Sequence, residues 1–337
     1  MLNKLYENIK EYIKRNYKDI LVFIFVIFIV TFEFPYYVDA PGGLLDTTDR
    51  VVIEGGYDAQ GSFNMAYVRE MPGTIATLGV AAILDSWDVI KEEEVIETTE
   101  TYEEAMKRGE LYLQASNSNA VLYAYTRAGI EVDVSNKRLV LLYKFPESNT
   151  DMKVGDIVKK VNNIEVETLE DIAKILEKSN KNDVVTLVVE NNKKEYVRTA
   201  TLTDEKKIGI LIQAMYDVKT NPECKFNFSS KESGPSGGLM TALTVYNNLV
   251  EEDITYGLKI AGTGTIENDG SVGEIGGIKY KLMGVVREKA DVFICPKGSN
   301  YDEAMKVKKE KGYDIEIVGV ETFDEALEYL KNKKSEK

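Results

Sequence analysis

The stretch ESGPSGGLMTAL, residues 232–243, decides how this chain is read. A Gly-Pro-Ser-Gly-Gly turn runs into Leu239, Leu243, Tyr246 and Val250, whose spacing predicts a helix from about Ser236 to Leu249. Pro235 suits a first helical turn, where its missing N–H would have no partner anyway. Such a turn either cradles a phosphate or presents a nucleophile. Phosphate binding asks for GxxxxGK[ST], with a lysine to reach the phosphates and a hydroxyl for magnesium. Here Met240 and Thr241 follow the glycines, and the pattern occurs nowhere else in the chain. The nucleophile reading fares better. A hydroxyl at Ser236 would lie beside backbone N–H groups at the positive end of a helix dipole, the groups that stabilise an oxyanion. Gly234, Gly237 and Gly238 would let a substrate backbone come close.

The chain contains no histidine, so the base for Ser236 must be a carboxylate or a lysine kept neutral by burial. Residues 262–286, GTGTIENDGSVGEIGGIKYKLMGVV, offer a lysine. A second apolar helix opens at Ile278, with Leu282, Val285 and Val286 facing inward. Lys279 stands at its start, near apolar neighbours and a helix amino terminus, and is the candidate base. Lys281 is about 200° further round and is expected to face water. Taken singly, a serine in a Gly-rich turn is a cap and a lysine at a helix start is solvated. The order of the motifs favours catalysis.

GPSGG, then GTGTI, then VGEIGGIKYK resembles the Lon-type serine peptidase domain over about residues 208–330. That resemblance implies Ser236 as nucleophile, Lys279 as general base and Thr263 as a hydroxyl that helps hold the lysine. Gly234, Pro235 and Gly237 would shape the turn, and activity is expected to rise on the alkaline side as the lysine loses its proton. The sequence departs from the family at Gly237, where alanine is common, at Ser233, where some relatives carry an acid, and at Glu274, which replaces proline. GSFNMAYVRE, residues 61–70, and LYLQASNSNAVLYAYTRAG, residues 111–129, resemble an early strand and helix of the same fold.

Between these segments lies a compact α/β unit. The phrase MKVGDIVKKVNNIEVETLEDIAKIL, residues 152–176, resembles a bacterial PDZ domain. In that family a peptide adds as a strand beside a helix. By position the groove strand is Leu139, Val140, Leu141, Leu142 and Tyr143, and the groove helix carries Leu169, Ile172 and Leu176. The PDZ unit is then an insertion within the peptidase.

The amino terminus is expected to be a membrane anchor. Lys4, Lys10, Lys14, Arg15 and Lys18 precede an uncharged run from Ile20 to Phe32, and apolar residues continue to Val38. Acidic residues follow, so the positive-inside rule puts the amino terminus in the cytoplasm and the rest outside. A cleaved signal peptide ending near Val38-Asp39-Ala40 is the rival reading. The expected organisation is a cytoplasmic basic tail at 1–18, a transmembrane helix at 19–38, an amino-terminal part of the peptidase at 45–130, a PDZ domain at 131–203 and the catalytic domain at 205–332. The fold class is α+β.

The net charge of -14 argues against a nucleic-acid partner. Cys224 and Cys295 fit no metal spacing, and no metal or other cofactor is expected. The acidic run at residues 91–104 reads as a solvated loop. Together these features resemble membrane-bound, ATPase-less bacterial peptidases, and imply an ATP-independent serine endopeptidase acting on exposed peptides or flexible protein segments. The resemblance also implies a homo-oligomeric ring. The alternative is an inactive, membrane-tethered PDZ adaptor.

Overall fold

The computed structural model describes residues 2–92, 100–229 and 232–334. Residues 93–99, half of the acidic run, lie outside the described residues, and its last three, Tyr102, Glu103 and Glu104, open a helix rather than a loop. The chain divides into two compact units, residues 1–41 with 68–95, and residues 42–67 with 96–337.

The first unit holds helix α1 (Leu2–Thr31), the start of strand β1 (Glu33–Asp46), the end of β3 (Ser62–Thr74), helix α2 (Ile75–Ala81) and β4 (Asp88–Lys91); β2 (Val51–Ile53) belongs to the second unit. The expected transmembrane helix at 19–38 does not form as such. The helix ends at Thr31, and Tyr36, Tyr37, Val38 and Asp39 pair antiparallel with Lys91, Ile90, Val89 and Asp88. Pro35 has no N–H for a helix, and the aromatic residues around it favour a strand. Residues 20–31 alone reach about 18 Å, against a hydrocarbon core of about 30 Å. Among the described residues no helix is long and apolar enough to cross a membrane. The segment read as a basic tail is itself helical and bends at Asn16, whose φ and ψ are -114° and 18°.

The second unit continues with α3 (Tyr102–Arg127), β5 (Val132–Lys144), β6 (Asn149–Thr150), β7 (Ile157–Val161), β8 (Ile164–Glu165), α4 (Leu169–Glu177), β9 (Val184–Asn191), β10 (Lys194–Thr201), β11 (Ile210–Thr220) and β12 (Cys224–Phe226). It closes with α5 (Gly238–Leu249), β13 (Lys259–Gly262), α6 (Ile278–Arg287), β14 (Val292–Pro296), α7 (Ser299–Lys311), β15 (Glu316–Val320) and α8 (Phe323–Lys334). Strands β3, β13, β14 and β15 run parallel, with Phe63 opposite Ile260 and Ile260 opposite Val292. Parallel strands are buried on both faces. Accordingly Ile260, Val292 and Ile294 pack with α5, α8 and the second half of α3, while Ala261, Phe293 and Cys295 pack with α6 and α7.

A separate core lies within the sheet ordered β11-β5-β7-β9-β10-β6, covered by α4. Helix α3 serves both cores. Leu111 and Ala115 join the β5–β11 core, whereas Ala120, Val121, Ala124 and Tyr125 join the core around α5. Residues 62–67 and 102–127 thus share a core with the carboxy-terminal elements, and the β5–β10 unit falls between them in sequence. Cys224 and Cys295 are both free, and burial pushes each thiol up to about 12.

Candidate active site

The GPSGG turn is held from three sides. Gly234 adopts φ +86°, a left-handed conformation that suits glycine, and donates its N–H to the Gly109 carbonyl of α3 at 3.0 Å. Ser116, also on α3, donates to the Pro235 carbonyl at 3.3 Å. The Ser236 carbonyl accepts from Gly264 N–H at 2.8 Å and from the Thr263 hydroxyl at 3.0 Å. Pro235 and Ser236 precede the helix rather than open it: α5 starts at Gly238 with Gly237 as its cap, and no side chain caps it. Ser236 remains half-buried at the mouth of this turn.

Thr263 is fully buried at the end of β13. Its hydroxyl joins two groups, because it donates to Ser236 and accepts from the ammonium nitrogen of Lys281 at 3.0 Å. Lys281 is only 4% exposed. Burial alone lowers its pKa from the usual 10.5 to about 8, since the charged form loses its water.

This placement puts Lys281 at Thr263, the position expected for Lys279. Lys279 is partly exposed, with its Nζ lying 5.3 Å from the centre of the Tyr280 ring. The angular argument was sound, but it was anchored on the wrong residue. Ile278, Leu282 and Val285 are buried, and Lys281 stands three residues after the first and next to the second on the same face. That i, i+3, i+4, i+7 pattern was available in the sequence. The expectation that Lys281 faces water is reversed.

Other residues at the turn were missed. Arg50 donates from Nε and Nη2 to Glu232 at 3.1 and 2.9 Å, while the other carboxylate oxygen of Glu232 accepts from Ser229 N–H at 2.8 Å. The Arg50 carbonyl accepts from Asn227 N–H, so one residue clamps both ends of the approach to the serine. A cleft of about 640 Å³ runs from Glu232 between α3 and β12, floored by Leu113, Val121, Val218, Phe226 and Phe228. Arg50 and the α3 contacts are distant in sequence and carry no local signal.

The comparisons with known proteins meet at this site. Residues 227–332 match the Lon protease (S16) C-terminal proteolytic domain. Among curated proteins, the chain is 29% identical over 136 residues to the Lon protease of Campylobacter jejuni, covering 38% of this chain and 17% of that protein. It is 30% identical over 118 residues to Lon protease 2 of Borreliella burgdorferi, covering 34% and 14%. The alignments therefore span less than a fifth of these relatives. The matched residues take in Ser236, Thr263 and Lys281 alike.

The strand half of the expected peptide groove is not open. Leu139, Val140, Leu141, Leu142 and Tyr143 are buried in β5, which pairs with β11 along one edge and with β7 and its approach along the other. No edge remains there for a peptide. The helix half is placed differently: Leu169, Ile172 and Leu176 of α4 line a cleft of about 870 Å³ whose opposite wall is residues 208–212 at the start of β11. Strand β11 ends the sheet, so the extra strand lies outside β5 and displaces the groove by one position.

Proposed function

We propose that the protein is a serine endopeptidase in which Ser236 attacks the scissile carbonyl and Lys281, in its neutral form, takes the hydroxyl proton and later returns it to the leaving amine. The reading rests on one observation: a lysine buried to 4% exposure is joined through the Thr263 hydroxyl to the serine of a Gly-rich helix start. A neutral amine is a competent base near its own pKa, and burial supplies that form close to neutral pH. Thr263 is a positioning residue that fixes the amine and the serine backbone together. Backbone N–H groups at Ser236 and Gly237 are the proposed donors to the tetrahedral oxyanion. The apolar cleft beside Glu232 would receive large apolar side chains of an extended peptide.

The cleft between α4 and β11 supports a PDZ-like role, in which an extended peptide pairs with the outer edge of β11 and sets side chains against Ile172 and Leu176. Substrates are taken to be exposed or flexible segments, and cleavage to be independent of ATP. The uncharged, exposed residues 20–31 of α1 favour attachment to a membrane.

A fluorophosphonate probe tests the nucleophile in the purified full chain. Labelling is expected in wild type, absent in Ser236→Ala and strongly slowed in Lys281→Met. Undiminished labelling of Ser236→Ala would refute the proposed site.

A further inference from the structure

Helix α2 and the turn after it present an anomaly of composition. From Met71 to Leu84 the chain carries no charged residue, and residues 75–84 read IATLGVAAIL. None of the residues of α2 is buried. Ile83 is 80% exposed, and Ile75, Val80 and Leu84 are exposed as well. A short helix gains its stability in water by burying an apolar face, and in this one Ala76, Leu78 and Ala81 are only half-buried.

The side-chain hydroxyls at its start are paired within the segment. The Thr74 hydroxyl accepts from Thr77 N–H, Thr77 reciprocates to Thr74 N–H, and the Thr77 hydroxyl also reaches the Pro72 carbonyl at 2.7 Å. Such internal satisfaction is what a hydrocarbon environment demands of a backbone. The helix packs beside α1, whose residues 21–28 are all exposed and apolar. Trp87, the only tryptophan of the chain, closes the turn with its backbone N–H donated to the Leu84 carbonyl. Indole rings favour the boundary between lipid and water.

We propose that residues 75–84 form a second lipid-contact site, immersed in the same bilayer as the apolar end of α1, with Trp87 at the headgroup boundary. Helices α1 and α2 are in contact, and residues 20–32 and 71–84 carry no charge that would select a protein partner. The basic residues Lys4, Lys10, Lys14, Arg15 and Lys18 on the earlier part of α1 add attraction for anionic headgroups.

The proposal rests on the reading of α1 as lipid-bound, and the experiment separates the two. The full chain is reconstituted with vesicles of phosphatidylcholine and phosphatidylglycerol, with and without brominated acyl chains. Flotation reports attachment, and Trp87 emission reports contact of the second site. The expected result is flotation, a blue-shifted emission and loss of most of it to the bromines, with quenching much reduced in an Ile83→Asp, Leu84→Asp variant. Peptide hydrolysis by that variant in detergent, retained at the wild-type rate, shows that it is folded. Flotation with unquenched Trp87 would overturn the second site and leave α1 attached. Failure to float would overturn both readings. Quenching unchanged by the double substitution overturns the proposal, as does a variant that loses self-association while wild-type Trp87 stays unquenched. In that last case a second copy of the chain covers α2.

Discussion

The two helices that begin at the candidate site start differently from α3 and α4, and share their uncapped glycine start with α7, which begins at Gly298. Thr101 and Thr168 cap α3 and α4, each accepting from a backbone N–H three residues on while Glu104 and Asp171 return the bond. Helices α5 and α6 begin instead at Gly237 and Gly277, with no side-chain cap. A cap contributes about 1 kcal/mol, so the two site helices forgo it. At α5 the Gly238 and Leu239 N–H groups are taken by the Pro235 and Gly264 carbonyls, each at 3.1 Å, so the proposed oxyanion donors are the Ser236 and Gly237 N–H groups just ahead of the helix. For α6 the uncapped start lies one turn before Lys281, the residue whose pKa burial lowers. The contrast teaches that the entries of the two site helices are set by glycine backbone and by hydrogen bonds to distant segments rather than by a capping side chain.

The sharpest test of that contrast lies between two lysines on one helix. Lys281→Met should lower kcat for a short peptide by on the order of 10³-fold or more, the usual scale of a lost general base. Lys279→Met should leave the rate close to wild type, because its Nζ sits over the Tyr280 ring and not at Thr263. Equal losses in the two variants would break the assignment. The pH profile of wild type sharpens it: only the neutral amine accepts a proton, so kcat should rise about tenfold per pH unit below about 8 and level off above. A profile flat from pH 6 to 9 would exclude Lys281 as the titrating base.

Stability should respond in the opposite sense to activity. The folded pKa of Lys281 is depressed from 10.5 to about 8, which corresponds to on the order of 3 kcal/mol. Between those values the unfolded chain binds the proton that the folded chain has released, so stability rises with pH through that window. Below it the full cost is present. Lys281→Met removes the cost, and the variant should unfold at higher urea than wild type at pH 7, with the gain fading towards pH 10. A variant less stable than wild type at pH 7 would mean that the lysine is better accommodated than its burial implies.

Much of the site was legible because its signals are local. The Gly-Pro-Ser-Gly-Gly turn, the threonine after β13 and the paired glycines before α6 each stand in a few consecutive residues. The choice of lysine was legible too, yet it depends on which helical face is apolar, and two residues of phase separate a buried amine from a partly exposed one. The groove strand failed for a different reason. Residues 139–143 have the composition of a strand, but composition does not say which strand stands outside it, and β11 arrives from some seventy residues later. The end of α1 turned on Pro35, a single residue whose missing N–H outweighed a continuing apolar run. The clamp of Arg50 on Glu232 joins residues far apart in the chain and has no local mark.

The smallest expected effects test the other side of the comparison. Gly277 has φ +70°, so Gly277→Ala places a side chain in the left-handed region, at a cost of about 1 kcal/mol. Because that glycine sets the entry of α6, kcat should fall together with stability as Lys281 shifts from Thr263. Thr168→Ala should also cost about 1 kcal/mol by loss of the cap on α4, read as a lower urea midpoint. Here kcat for a short peptide should stay unchanged, since α4 packs into the core of the β5–β10 sheet and contributes no residue to the serine turn. Should Thr168→Ala lower kcat as much as Gly277→Ala does, the two classes of helix start would not be functionally distinct, and the α4 unit would be acting on the site through α3.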